Sequence, residues 1–135
     1  MPLMPWTPLF SVGIREIDEQ HKLLFKLANE FDEACRTGDA TETVWRVLDE
    51  LIRYTEFHFS TEERLMERQQ YSAADSHRLE HVELRRSVED FRNRLRDGSL
   101  DLQPEILGFF RDWLTRHIMN SDRQLGAELN RKGLR

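Results

Sequence analysis

His58-Phe59-Ser60-Thr61-Glu62 and, after a turn, His77-Arg78-Leu79-Glu80-His81 repeat one spacing, an imidazole followed four residues later by a carboxylate or a second imidazole. On an α-helix that spacing stacks both side chains on one face, about 6 Å apart along the axis. Two such helices face to face would aim three imidazoles and a carboxylate at a common point. The remaining sequence then has to supply the partner helices and complete the set.

Working outward, four stretches carry apolar residues at alternating steps of four and three, the pattern of a helical bundle seam. The first reads Ile17, His21, Leu24, Ala28, Phe31, Cys35, with Asp18 as expected N-cap and Gly38 as stop. A capping box, Asp39-Ala40-Thr41-Glu42, should open the second: Val44, Leu48, Leu51, Thr55, His58, Glu62, Leu65, widened by Trp45, Ile52, Phe59 and Met66, ending near Arg68. Ser72 is the expected cap of the third, whose seam is His77, His81, Leu84, Val88, Phe91, Leu95, with Asp97-Gly98 as stop. Pro104 suits the first turn of the fourth, which carries Ile106, Phe110, Trp113 and His117 and reaches about Asn120.

The fold expected is all-α, an antiparallel up-down-up-down four-helix bundle with an irregular N-terminal arm. Residues 1–13 hold three prolines and Gly13 together with Trp6, Leu9 and Phe10, and are expected to lie over the bundle. The chain reads as one domain over 1–135: arm 1–13, bundle about 14–120, and a short helical turn with a basic tail over 121–135.

The five histidines, His21, His58, His77, His81 and His117, all fall on seam positions. Each buried imidazole has two nitrogens to satisfy, and an unpaired buried polar group costs on the order of 1–3 kcal/mol. Sharing a ligand removes that load. In an up-down-up-down bundle, the start of helix one, the end of two, the start of three and the end of four lie at the same level, so all five histidines and Glu62 meet at one end.

Asp122 is harder to place. It follows His117 by five residues, a rotation of about 500°, so a regular helix aims it about 140° off the seam. It joins the site if helix four ends or bulges near Asn120-Ser121; otherwise it is the N-cap of a terminal turn.

Six or seven nitrogen and oxygen ligands exceed the four or so of one tetrahedral zinc. Imidazole with carboxylate suits iron, zinc, copper or nickel. Two octahedral metals offer about twelve positions; five imidazoles, two bridging carboxylates and one bridging oxide or hydroxide take about eleven. One position is left for a small ligand, as in a catalytic or gas-binding centre.

Composition excludes several alternatives. A formal charge of −5 argues against a nucleic-acid binder. No apolar run approaches the roughly 18 residues of a membrane span, and the start of the chain lacks the features of a secretory signal. One cysteine, Cys35, excludes an internal disulfide and suits a reducing, cytoplasmic location.

These motifs resemble those of the hemerythrin family, and in particular its single-domain bacterial members. They are Asp18-Glu19-Gln20-His21-Lys22, His58-Phe59-Ser60-Thr61-Glu62-Glu63, His77 with His81, and Trp113-Leu114-Thr115-Arg116-His117-Ile118-Met119-Asn120-Ser121-Asp122. The resemblance implies a non-haem di-iron site with an oxo or hydroxo bridge that binds O2 reversibly. By the family pattern His77, His81 and His117 hold one iron, His21 and His58 the other, and Glu62 and Asp122 bridge. The open position then lies on the two-histidine iron. The resemblance also matches Leu24, Phe59, Trp113 and Ile118 to an apolar oxygen pocket, where dryness protects the bound ligand from water and protons. Glu63, Glu67 and the arginines read as solvated charges.

Reversible O2 binding for storage, delivery or sensing is the leading function. A di-iron enzyme (oxidase, peroxidase or nitric-oxide-handling) is the alternative. The histidine-rich set differs from the two Glu-x-x-His pairs of ferritin-like oxidases, and no general acid or base flanks the pocket, which favours a non-enzyme. Residues 1–13 and 123–135 are too short for an output domain, so signalling would need a separate partner.

Overall fold

Each helix has one apolar stripe to bury, and the chain does so by closing the stripes on one another. The computed structural model describes residues 3–37, 41–98 and 103–135. Its elements are a 3₁₀ turn at Pro8–Phe10, α1 (Arg15–Arg36), α2 (Thr41–Arg68), α3 (Ala74–Arg96), α4 (Gln103–His117), a π turn (Ile118–Asp122) and α5 (Arg123–Arg131). Among the described residues there is no strand. Consecutive helices pack together and α1 closes the ring against α4, giving the all-α four-helix bundle.

The seam positions form the core. Ile17, Leu24, Phe31, Leu51 and Leu84 are fully buried, with Phe59, Met66, Phe110 and Trp113 packed among them. The Asp39 cap and the Gly38 stop lie outside the described residues, as do the side chains of Pro104 and Ile106. Helix α3 stops where expected: Asp97 caps it and Gly98 takes φ +92°, open to glycine without steric cost. Helix α2 ends at Arg68, and Tyr71 N–H reaches back 2.9 Å to the Met66 carbonyl across Gln70, which takes φ 50°.

Two expected caps are corrected. Helix α1 begins at Arg15, three residues before Asp18. The Asp18 carboxylate reaches back instead, accepting from Ser11 Oγ at 2.6 Å and Val12 N–H at 2.8 Å, and so anchors the arm. Helix α3 begins at Ala74 without a side-chain cap. Ser72 bonds Glu128 of α5 through both its backbone N–H, 3.1 Å, and its hydroxyl, 2.6 Å. In both cases a tertiary partner satisfies the polar residue better than the helix end beside it.

The arm packs as expected, apart from Leu9, which is 75% exposed. Trp6 and Phe10 set their rings against Phe25 at 5.4 and 5.0 Å, and Asn29 clamps Met4 through its N–H and carbonyl. The C-terminal stretch differs from a short turn with a tail. Helix α5 continues from α4 through the π turn and buries Leu125 and Leu129 completely, each contributing about 2 kcal/mol. Gly126 permits this, because a Cβ there would lie 1.9 Å from the Val12 carbonyl oxygen of the arm.

Candidate metal centre

The bundle brings all five histidines, Glu62 and Asp122 to one place. His21 comes from the first turns of α1, His58 and Glu62 from the late part of α2, His77 and His81 from the start of α3, and His117 from the last turn of α4. All seven are buried, none more than 3% exposed.

Asp122 arrives there through the π turn. Arg123 N–H bonds the carbonyl of Ile118, five residues back, in place of the usual four. That bonding sets residue 122 over residue 117, and Asp122 Oδ1 comes within 3.0 Å of His117 Nε2. The bulge near Asn120-Ser121 is therefore the local irregularity that the five-residue spacing demanded.

Each carboxylate divides its oxygens between two groups of imidazoles. Glu62 Oε1 faces His77 and His81 Nε2 at 3.0 and 3.1 Å, while Oε2 faces His58 Nε2 at 3.0 Å and His21 Nε2 at 3.6 Å. Asp122 Oδ1 faces His77 and His117 at 3.0 Å each, and Oδ2 faces His21 at 2.9 Å. Two overlapping donor sets result, Glu62-His77-His81-His117-Asp122 and His21-His58-Glu62-Asp122, each with its donor atoms within 4.8 Å of one another. Either set could hold a metal ion, and both share the two carboxylates.

The chemistry of these atoms fits cations. His21 Nε2, Glu62 Oε2 and both Asp122 oxygens are buried and lack a properly directed hydrogen bond, although other donors and acceptors stand about 3 Å away. Buried charges on that scale are destabilising unless paired or metal-bound. The electrostatics agree. Burial would raise the Glu62 and Asp122 carboxyls. For Glu62 the neighbouring His58, His117 and His21 overcome burial and hold it well below the usual carboxylate range. For Asp122, burial and the Glu62 charge both act upward, yet His117 and His21 keep it ionised. Burial lowers His21 and His77, but contacts with Asp122 and Glu62 outweigh it and raise both to about 9. His117 is raised for the same reason, whereas burial dominates at His58 and lowers it.

A second layer escaped the periodicity. His81 Nδ1 lies 2.7 Å from Glu63 Oε2, and His117 Nδ1 lies 2.9 Å from Glu80 Oε1. His58 Nδ1 lies 2.7 Å from Gln20 Oε1, and Gln20 donates in turn to Thr61. Glu63 is thus a partner of the site and not a solvated charge, whereas Glu67 is exposed as expected. Glu80 lies between His77 and His81 in sequence, a placement that no apolar pattern distinguishes from an outward charge. Ser121, in the π turn, donates to both Glu80 oxygens, at 2.8 and 2.6 Å.

The four expected pocket residues are all buried. Phe59 stacks on His81 with ring centroids 3.8 Å apart and planes 7° apart, and Trp113 stacks on His117 at 4.4 Å. Leu24 and Ile118 are fully enclosed. Phe59 also walls a cavity of about 190 Å³ with Thr55, Leu84, Val88 and Phe110.

Fold and site together define a class: a four-helix bundle whose one end gathers a buried, histidine-rich cluster that could hold metal. Residues 12–129 match the Hemerythrin HHE cation binding domain. The chain is 32% identical over 131 residues to a bacteriohemerythrin of Methylococcus capsulatus, spanning 96% of this chain and 99% of that protein. It is 34% identical over 122 residues to a bacteriohemerythrin of Pseudomonas aeruginosa, covering 90% and 78% of the two chains. The crystal structure of wild-type hemerythrin superposes with a TM-score of 0.86 at 32% identity, over 93% of this chain and 96% of that one. The chain belongs to the hemerythrin family. No helix among the described residues is long and apolar enough to cross a membrane.

Proposed function

We propose that this protein binds O2 reversibly at a non-haem di-iron centre, as a carrier, store or sensor and not as an enzyme. The observation that carries this is the division of the Glu62 and Asp122 oxygens between the three-histidine and two-histidine groups. On this reading His77, His81 and His117 hold one iron, His21 and His58 hold the other, and Glu62 and Asp122 span the pair. When bound, two irons supply reversible two-electron chemistry toward O2.

The chain's own residues set the conditions for that chemistry. Gln20, Glu63 and Glu80 fix ring orientation from behind His58, His81 and His117. Leu24, Phe59, Trp113 and Ile118 keep water and protons from the ligand, which favours release of O2 over oxidation of the centre. Relatives named bacteriohemerythrin over nearly the full chain support the carrier reading. A lone free thiol, Cys35, supports work in a reducing compartment such as the cytoplasm.

The test is a cycle. The iron-loaded protein is reduced without air, exposed to O2 and purged with inert gas while its visible spectrum is followed. A band that appears and disappears over repeated cycles is expected. Peroxide release or irreversible oxidation would instead identify an oxidase, peroxidase or nitric-oxide-handling enzyme built on the same residues.

A further inference from the structure

The two halves of the site differ in what stands behind the imidazoles. On the three-histidine side, two Nδ1 atoms face carboxylates, His81 to Glu63 at 2.7 Å and His117 to Glu80 at 2.9 Å. On the two-histidine side, His58 Nδ1 faces the neutral amide oxygen of Gln20 at 2.7 Å. The buried Nδ1 atoms of His21, on this side, and of His77, on the other, both have no partner among the described residues, so the difference lies in His81 and His117 against His58. When Nε2 is the ligand atom, Nδ1 carries the proton and donates it outward. A carboxylate draws on that proton more strongly than an amide does, so the ring gains anionic character and its ligating nitrogen becomes more basic. Such a ligand stabilises the higher charge on its metal.

We infer that Glu63 and Glu80 are positioning residues that lower the reduction potential of the three-histidine metal, making the two metals of the centre electronically unequal. The inference rests on the proposed di-iron reading of the site. Arg85 tempers the effect. Its Nη2 lies 3.3 Å from Glu63 Oε2, the same oxygen that faces His81, while its Nε pairs with Glu56 and its guanidinium stands 5.3 Å from the Phe59 ring. Among the described residues Glu80 has no cation within ion-pair reach apart from His117, and its further partner is the Ser121 hydroxyl. The π turn therefore acts twice, aiming Asp122 inward and seating Ser121 on Glu80.

This arrangement gives predictions of opposite sign from one contact. Glu63→Gln and Arg85→Gln both break the Arg85–Glu63 ion pair, so a purely structural role would move both variants the same way. An electrostatic role moves them apart, because one change removes the anion and the other removes the cation that offsets it.

The experiment is a spectroelectrochemical titration of the iron-loaded protein. Mössbauer spectra distinguish the two irons, and metal analysis of each variant accompanies the titration. Glu63→Gln and Glu80→Gln are expected to shift the three-histidine iron to a higher potential, and Arg85→Gln to a lower one. Gln20→Glu should lower the potential of the other iron. If Glu63→Gln loads poorly, Glu80→Gln and Arg85→Gln carry the same signed test. Unchanged potentials, or Glu63→Gln and Arg85→Gln shifts of the same sign with both irons bound, would overturn the inference while leaving the di-iron reading intact. A wild-type protein that takes up fewer than two irons would overturn that reading, and the inference with it.

Discussion

Asp122 Oδ1 lies 3.0 Å from His117 Nε2 although five residues separate them, because the chain between is wound as a π turn. Asp122 also faces His21 and His77, so one side chain joins α1, α3 and the end of α4. Asp122→Ala is expected to weaken iron binding by more than about 100-fold, beyond the usual loss from removing a supporting residue. Iron analysis and the visible spectrum check this; full loading with an unchanged spectrum would remove Asp122 from the ligand set.

Leu24 and Ile118 are fully buried, Leu24 one turn after His21 in α1 and Ile118 next to His117 in the chain. A hydroxyl there recruits water into a dry site. Leu24→Ser or Ile118→Ser should accelerate autoxidation of the O2-bound protein by about tenfold, the effect of lowering a barrier by about 1.4 kcal/mol. The decay of the visible band gives the rate. Unchanged rates in both variants would mean that the dry pocket lies elsewhere.

Metal-free protein should lose stability as the pH rises from neutral. His21 and His77 are raised to about 9 against an ordinary 6.5, and His117 is raised as well. Raised histidines stabilise the fold fully below 6.5, and the contribution fades as pH climbs through about 9. His58, lowered by burial, changes its contribution only below about 6.5 and so leaves this window untouched. Glu62 and Asp122, depressed, contribute above about pH 4.5 and lose that contribution in acid. The melting temperature of chelator-treated protein should therefore be lower at pH 9 than at pH 6.5. Bound metal replaces the protons and should flatten the alkaline limb.

Gly126→Ala tests the strap formed by the N-terminal arm. Its Cβ would meet the Val12 carbonyl oxygen at 1.9 Å, and backbone must move to admit it. Forced overpacking costs about 1–3 kcal/mol, or a drop of several degrees in Tm. Limited proteolysis should show faster cleavage near residues 3–14. A variant as stable and as resistant as the parent would mean the arm repacks freely.

Reading the sequence recovered what periodicity encodes. The step of four and three put His21, His58, His77, His81 and His117 on buried stripes, and antiparallel order put them at one level. Both follow from helix geometry, which is local. The caps were not legible in the same way. Asp18 and Ser72 have the right residue type beside a helix start, but Ser11 and Val12 of the arm take the first and Glu128, 56 residues on, takes the second. Glu63 and Glu80 look like any charge on a helix surface until α3 and α4 pack and set His81 and His117 against them.

By itself the sequence determined the bundle, the seam and the residue types of the candidate centre, because each is a property of one helix and its repeat. Tertiary structure decided the rest. It divided Glu62 and Asp122 between two groups of imidazoles, since only packed helices set donor atoms at 3 Å. It wound Ile118–Asp122 as a π turn, since a buried carboxylate facing three imidazoles offsets the poorer hydrogen bonding of that turn. It also placed two anions behind one half of the centre and a neutral amide behind the other, an asymmetry written in no single helix.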